Sequence, residues 1–297
     1  MKHWTYSLMI WMLAGLFTGL RAQTKVELFC GADLSYADVN FIRLYDVLLN
    51  LTPGAKWHLG NDWMLAGQAF VPVINDGYPK RQDMVRVNMA VVSKELHFAE
   101  ARQYLKFSAG MFGKERCGGD LRWMYPVCDW LMLQARASLT KHWVFGFGWD
   151  GASESYIDGN WIATAQAGAS FYINKYNTEF RLTGGRYLNE DMGAQLDVMR
   201  HFRHCTVGLF AQLHERGNDD YSYHHEAGGF KVIMMLPPYK KSNKKVVLRP
   251  ASNFRLTYNA QSDGVSMKTF FTDPEENERV NAINVPWGTG KMEGGEP

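Results

Sequence analysis

The chain has 297 residues, 46% of them hydrophobic, enough for one large domain or two ordinary ones. Its 32 basic and 30 acidic residues leave a formal net charge of +2, without the basic excess that nucleic-acid binding calls for. Aromatic residues are abundant, with 10 Trp and 14 Tyr, and both types join an apolar ring to a polar tip, as suits a membrane interface or a sugar-binding surface.

At the N-terminus, Lys2 and His3 precede an uncharged apolar run, Trp4 to Leu20, which ends at Arg21-Ala22-Gln23. A basic start, a short apolar run and a small residue before a polar one predict a secretory signal over residues 1–22, with the mature chain beginning at Gln23. Leu20 stands where a small residue is usual before cleavage, so an uncleaved anchor is the alternative. The Ala-Gln ending resembles the export signals of Bacteroidota, and Cys30 lies too far along for lipid attachment. No later run is long and apolar enough for a membrane helix. Cys30, Cys117, Cys128 and Cys205 are too scattered for a disulfide framework; Cys117 and Cys128 either pair across one connection or stay free.

From Gln23 onward the pattern has period two, the period of a strand whose alternate side chains face opposite sides. The predicted strands are Val26 to Leu34, Phe41 to Leu49, Asp62 to Val73, Val85 to Val91, Leu105 to Met111 and Asp129 to Leu139. Lys141 to Trp149 follows, with Trp143, Phe145, Phe147 and Trp149 on one face. Trp161 to Ile173 then sets Trp161, Ala163, Ala165, Ala167, Ala169, Phe171 and Ile173 against Thr164, Gln166, Gly168, Ser170 and Tyr172. Further strands are Thr178 to Gly184, Met192 to Val198, Cys205 to His214, His225 to Leu236 and Val246 to Tyr258. Val92 to Tyr104, with four charged residues, reads as a loop or short helical turn. Turn signals at Gly60-Asn61-Asp62, Asn75-Asp76-Gly77, Asp158-Gly159-Asn160 and Asn174-Lys175 space the strands as antiparallel hairpins.

These features predict an all-β fold: a single antiparallel transmembrane β-barrel of about twelve strands over residues 23–260, with aromatic residues at the ends of small apolar stretches. A soluble barrel would alternate in the same way with the polar face turned to water, so alternation alone does not separate the two. Residues 261–297, rich in acidic residues and glycine, read as a polar, flexible periplasmic tail. The chain ends in Pro297, whereas many bacterial outer-membrane barrels end on an aromatic residue.

Gly228-Gly229-Phe230-Lys231, Leu236-Pro237-Pro238-Tyr239, Arg249-Pro250 and Tyr258-Asn259-Ala260 together resemble the C-terminal part of YjbH-type proteins, outer-membrane β-barrels linked to exopolysaccharide production. The resemblance covers about 35 residues and carries no catalytic motif. It implies a conduit or scaffold for export or assembly of surface polysaccharide in the outer membrane of a Gram-negative bacterium. Its partners would be outer-membrane lipid, surface polysaccharide and envelope proteins reached through the tail.

No nucleophile elbow, zinc-protease pair, phosphate loop or dinucleotide motif is present, so no catalytic residue, metal ligand or cofactor is expected. His201 and His204 are three apart, and three-apart residues on a strand face opposite sides; the His224-His225-Glu226 group reads as rim polarity. Glu179, Arg181, Gln195 and Asp197 fall on the polar faces of two strands, where they would line a lumen and offer hydrogen bonds to sugar hydroxyls or ions. The simpler reading is that they pair with one another as barrel filling. Two alternatives remain: a lipid-modifying barrel enzyme, with His142 beside Trp143 its best candidate base, and a soluble periplasmic β-barrel binding protein.

Overall fold

The computed structural model describes residues 25–37, 46–149, 151–215, 224–238, 244–259 and 267–276. The predicted export signal and most of the predicted tail lie outside these residues.

The described chain is all-β, a single sheet whose strands follow one another as hairpins. They are β1 (Lys25–Ala37), β2 (Asp46–Gly60), β3 (Trp63–Asp76), β4 (Val85–Phe98), β5 (Gln103–Phe112), β6 (Arg116–Cys128) and β7 (Leu131–Phe147). Then come β8 (Ser153–Ile173), β9 (Thr178–Arg186), β10 (Met192–His201), β11 (Cys205–Glu215), β12 (His224–Met235), β13 (Val246–Pro250) and β14 (Asn253–Asn259). The order across the sheet is β13, then β1 through β12, then β14, which makes 14 strands against the twelve expected. The two edge strands are therefore consecutive in the chain, with only Ala251 and Ser252 between them. Ala251 N–H donates to the Cys30 carbonyl, and the Ser252 carbonyl accepts from Leu236 N–H. Successive strands reverse direction from β1 to β13, an even number of times, so β13 runs parallel to β1 while β14 is antiparallel to β12.

The two faces differ in polarity in the opposite sense to a water-soluble sheet. Along β9 and β10, Glu179, Arg181 and Asp197 are 1%, 4% and 2% exposed, while Leu182 and Met192 are 53% and 63% exposed. On β11, Val207, Leu209 and Leu213 are exposed, whereas Thr206, Gln212 and His214 are buried. On β8, Trp161 and Phe171 are exposed and Thr164, Ser170 and Tyr172 are sheltered. Ordinary folding buries apolar and exposes charged side chains, so this sheet reverses the usual arrangement of its two faces.

Three expectations need correction. First, β6 was not among the predicted strands: its first half, Cys117-Gly118-Gly119-Asp120, shows no apolar alternation, although Leu121, Trp123 and Tyr125 alternate in its second half, opposite the sheltered Asp120, Arg122 and Met124. Val92 to Tyr104, read as a loop or helical turn, is largely the continuation of β4 and the start of β5. Second, Val85, Val87, Met89 and Val91 do not share one face. The β3–β4 ladder skips a residue between Met89 and Val87, so Asn88 is the extra residue of a bulge. Arg86, Met89 and Val91 thereby all turn to the sheltered side. Third, Trp143, Phe147 and Trp149 do not share one exposed face: Trp143 is 2% exposed, beside the buried Val144, with its indole N–H donating to the Arg116 carbonyl, while Phe147 and Trp149 stay exposed.

Cys117 and Cys128 sit near opposite ends of β6, about 35 Å apart at ~3.3 Å per residue. That is far beyond the ~7 Å Cα separation a disulfide spans, and all four cysteines are free. Alkylation of the unfolded, unreduced protein followed by mass measurement should therefore add four labels; a loss of two labels from the Cys117 and Cys128 peptides would contradict this register.

Candidate binding site on the polar face

The sheltered face holds its charges in pairs. Glu179 accepts from Arg181 at 2.9 Å and meets His201 Nε2 at 2.9 Å, and the other ring nitrogen of His201 lies 3.0 Å from the Thr206 hydroxyl. On β10, Gln195 donates to Asp197 at 2.8 Å and accepts from Gln212 of β11 at 2.7 Å. Lys231 of β12 reaches Asp197 at 2.7 Å. The four residues singled out in the sequence thus share one face of neighbouring strands, with Arg181 directly opposite Asp197 in the ladder. Arg181, Gln195 and Asp197 border an open cavity, while Glu179 lies behind Arg181 as its counter-ion.

Residues 267–276 complete this face, although the sequence placed them in a flexible tail. The segment crosses the polar side as a strap. At one end, Met267 N–H donates to the Asp191 carboxylate and the Lys268 carbonyl accepts from Leu188 N–H. In the middle, the Phe271 carbonyl accepts from Gly113 N–H, and Phe270 stacks on Phe112 with ring centres 5.1 Å apart. Phe270 packs in an apolar cluster with Met89, Val91, Phe112 and Leu188, which explains why the β4 bulge turns Met89 and Val91 inward.

The other end is ionic. Asp273 and Glu275 meet Lys56 at 2.6 and 3.1 Å, Glu275 takes Arg249 at 2.6 Å, and Glu276 takes Arg122 at 2.6 Å. Arg122 and Arg136 also share Asp120, at 3.2 and 2.6 Å. Burial alone would raise the Asp273 carboxyl, but Lys56 and Lys106 outweigh it and hold it at about 2. Glu275 and Glu276 are likewise held below the usual range, burial being opposed by Arg249 and Lys56 for the first and by Arg122 and Arg136 for the second.

Two cavities of about 550 Å³ each flank the strap. One is bordered by the Gln195–Asp197 region, the other by Gly31, Asp33, Arg81 and Arg86. Lys114, Arg255 and Phe271 border both, so they form the partition between them.

His142 contacts Asp158 through Nδ1 at 2.6 Å and Glu115 through Nε2 at 3.2 Å, and Glu115 also holds Arg81. Both ring nitrogens are thus occupied by carboxylates, and neither is placed to take a proton from a serine. Among the described residues, no cluster of three or more His, Cys, Asp and Glu side chains is arranged to hold a metal ion. The strap's role had only a faint signal in sequence: Phe270-Phe271 followed by Asp273, Glu275 and Glu276, a pattern without strand or helix period. No protein-family model matches this chain, and no curated protein matches it.

Carboxylates whose pKa is depressed on folding stabilise fully above their ordinary values and lose that contribution as pH falls through the depressed ones. The strap should therefore stay docked from pH 8 down to 5 and release only below about 4, as Asp273 passes from its ordinary 3.8 toward about 2. Asp273→Asn should raise hydrogen exchange across 267–276 about a hundredfold at pH 7, equivalent to ~3 kcal/mol of lost docking. Unchanged protection in the variant would remove the ionic end from the account.

Proposed function

We propose that the sheet closes through β13 and β14 into an outer-membrane β-barrel, exported by the predicted signal, that serves export or assembly of surface polysaccharide as conduit or scaffold. The observation that carries this reading is the inverted polarity: paired charges lie on the sheltered face and apolar side chains on the open one. Hydrocarbon rewards that arrangement and water penalises it. A water-soluble barrel with the same alternation would turn its polar face outward.

Three dimensions support the membrane setting. Trp161 and Phe171 bracket the alanine run of β8, ten residues apart. At ~3.3 Å per residue and a tilt of ~40°, that separation projects to about 25 Å, the height of an apolar band between aromatic girdles. The connections at 61–62, 99–102, 129–130, 174–177 and 202–204 gather at one end together with the longer one at 236–245, and most of those at the other end are longer than these five. Outer-membrane barrels place short turns on the periplasmic side and longer loops outside. Finally, a barrel of this strand number is wider than the roughly eight-stranded kind that its own side chains can fill. The strap at 267–276 occupies part of that width and leaves polar cavities beside it.

The polysaccharide part of the proposal rests on the resemblance around residues 228–260 and on the amide and hydroxyl groups that border the cavities. Expression of the full chain in a Gram-negative host, with gel mobility compared before and after boiling, tests the barrel. Recovery in outer membranes with faster migration when unboiled is the expected result. Recovery in the soluble periplasm without a mobility shift would favour a binding protein instead.

A further inference from the structure

The cavity beside Asp197 is unbalanced in charge. Its basic neighbours Arg122, Arg136, Arg181 and Lys231 are each committed to a carboxylate, on Glu276, Asp120, Glu179 and Asp197 respectively. Lys114, Arg255 and Lys268 border the same cavity, and among the described residues none of them has a carboxylate within salt-bridge distance. Lys114 and Arg255 instead both approach the ring of Phe271, with Nζ 5.3 Å and Cζ 4.3 Å from its centre. Cation–π contact eases the desolvation of a cation but leaves its charge uncompensated.

The backbone makes this convergence deliberate. β4 and β7 pair with each other beyond the tip of the β5–β6 hairpin, Val85 opposite Phe147 and Arg86 opposite Gly146. The tip is therefore overhung by its neighbours, and Lys114 adopts a left-handed conformation there, with φ 61°. Its side chain is open to the cavity yet surrounded by protein. Burial, with Arg255 and Lys268 nearby, holds the ammonium pKa below the ordinary lysine value.

We propose that this cavity is a binding site for an acidic saccharide, with Lys114, Arg255 and Lys268 holding its carboxylate or phosphate group. Three cations gathered with no carboxylate in salt-bridge contact, although Glu276 borders the same cavity, form an anion site whose occupancy relieves their mutual repulsion. Gln134, Gln166, Gln195 and Gln212 border the same space and supply donors and acceptors for hydroxyls, and Phe271 offers an apolar ring face. The volume of about 550 Å³ falls within the roughly 300–1,000 Å³ of small-molecule sites. The anion preference follows from the geometry; the saccharide class rests on the polysaccharide function proposed above.

The test is calorimetric titration of the detergent-solubilised full chain with trigalacturonate, maltotriose and inorganic phosphate, at two ionic strengths. Trigalacturonate should bind more tightly than maltotriose and weaken as salt rises. Lys114→Gln with Arg255→Gln should reduce its affinity about tenfold or more, the scale of losing charge-assisted hydrogen bonds, and Lys114→Arg should restore part of it. The unboiled gel mobility of each variant shows whether the barrel itself is intact. Equal binding of trigalacturonate and maltotriose would overturn the anion site while leaving polysaccharide handling in place. Binding of phosphate but not of trigalacturonate would overturn the saccharide assignment. A native chain without a mobility shift would instead count against the barrel reading, separately from the site.

Discussion

Lys56, Arg122, Arg136, Arg181 and Arg249 all present their charged groups to the sheltered face of the sheet, where an unpaired ion costs several kcal/mol. Much of the pairing on that face answers to that constraint. Strand-borne carboxylates meet part of it: Asp120 serves two arginines, Glu179 serves Arg181, and Asp197 serves Lys231. The remainder is met by a segment far along the chain, whose Asp273, Glu275 and Glu276 take Lys56, Arg249 and Arg122. Without the strap those cations would face one another across a space too poor in acid to neutralise them.

The strap also ties the junction between β13 and β14 to the β9–β10 connection. Glu275 bonds to Arg249 and to the backbone N–H of Ser252, which lies between β13 and β14. Arg249 in turn reaches Glu27 on β1 at 2.7 Å. The same chain then anchors at Asp191 and Leu188, in the β9–β10 connection. One ten-residue segment thus links the β13–β14 junction to the β9–β10 connection, and runs between the two cavities as it does so. The aromatic ring at the partition, Phe271, lies between two basic side chains, Lys114 and Arg255.

Much of this was legible in the sequence wherever the relevant signal is local. Alternation along β8 to β11 gave the facing of each residue, and so brought Glu179, Arg181, Gln195 and Asp197 to one side. It failed where one extra residue resets the phase, at Asn88, and at Trp143, which is buried with its indole N–H donating to the Arg116 carbonyl. It missed β6, whose first half carries Arg116 and Asp120 around two glycines, although the apolar alternation of Leu121, Trp123 and Tyr125 in its second half was there to be read. The strap was illegible for a different reason. Its aromatic pair and acidic run acquire meaning only from distant partners such as Lys56 on β2, Phe112 on β5 and Arg122 on β6. The cation cluster at Lys114, Arg255 and Lys268 was hidden in the same way, since three different parts of the chain supply it.

Spin labels placed one at a time from Val207 to His214, with the protein in lipid bilayers, test the central claim that the exposed face of this sheet meets hydrocarbon. Along β11 the accessibility to molecular oxygen should rise and fall with period two, highest at Val207, Leu209, Ala211 and Leu213. Access to a water-soluble nickel reagent should be low at those four positions. A nickel reagent that reaches Leu209 and Leu213 freely would place that face in water, and the inverted polarity would then need another explanation.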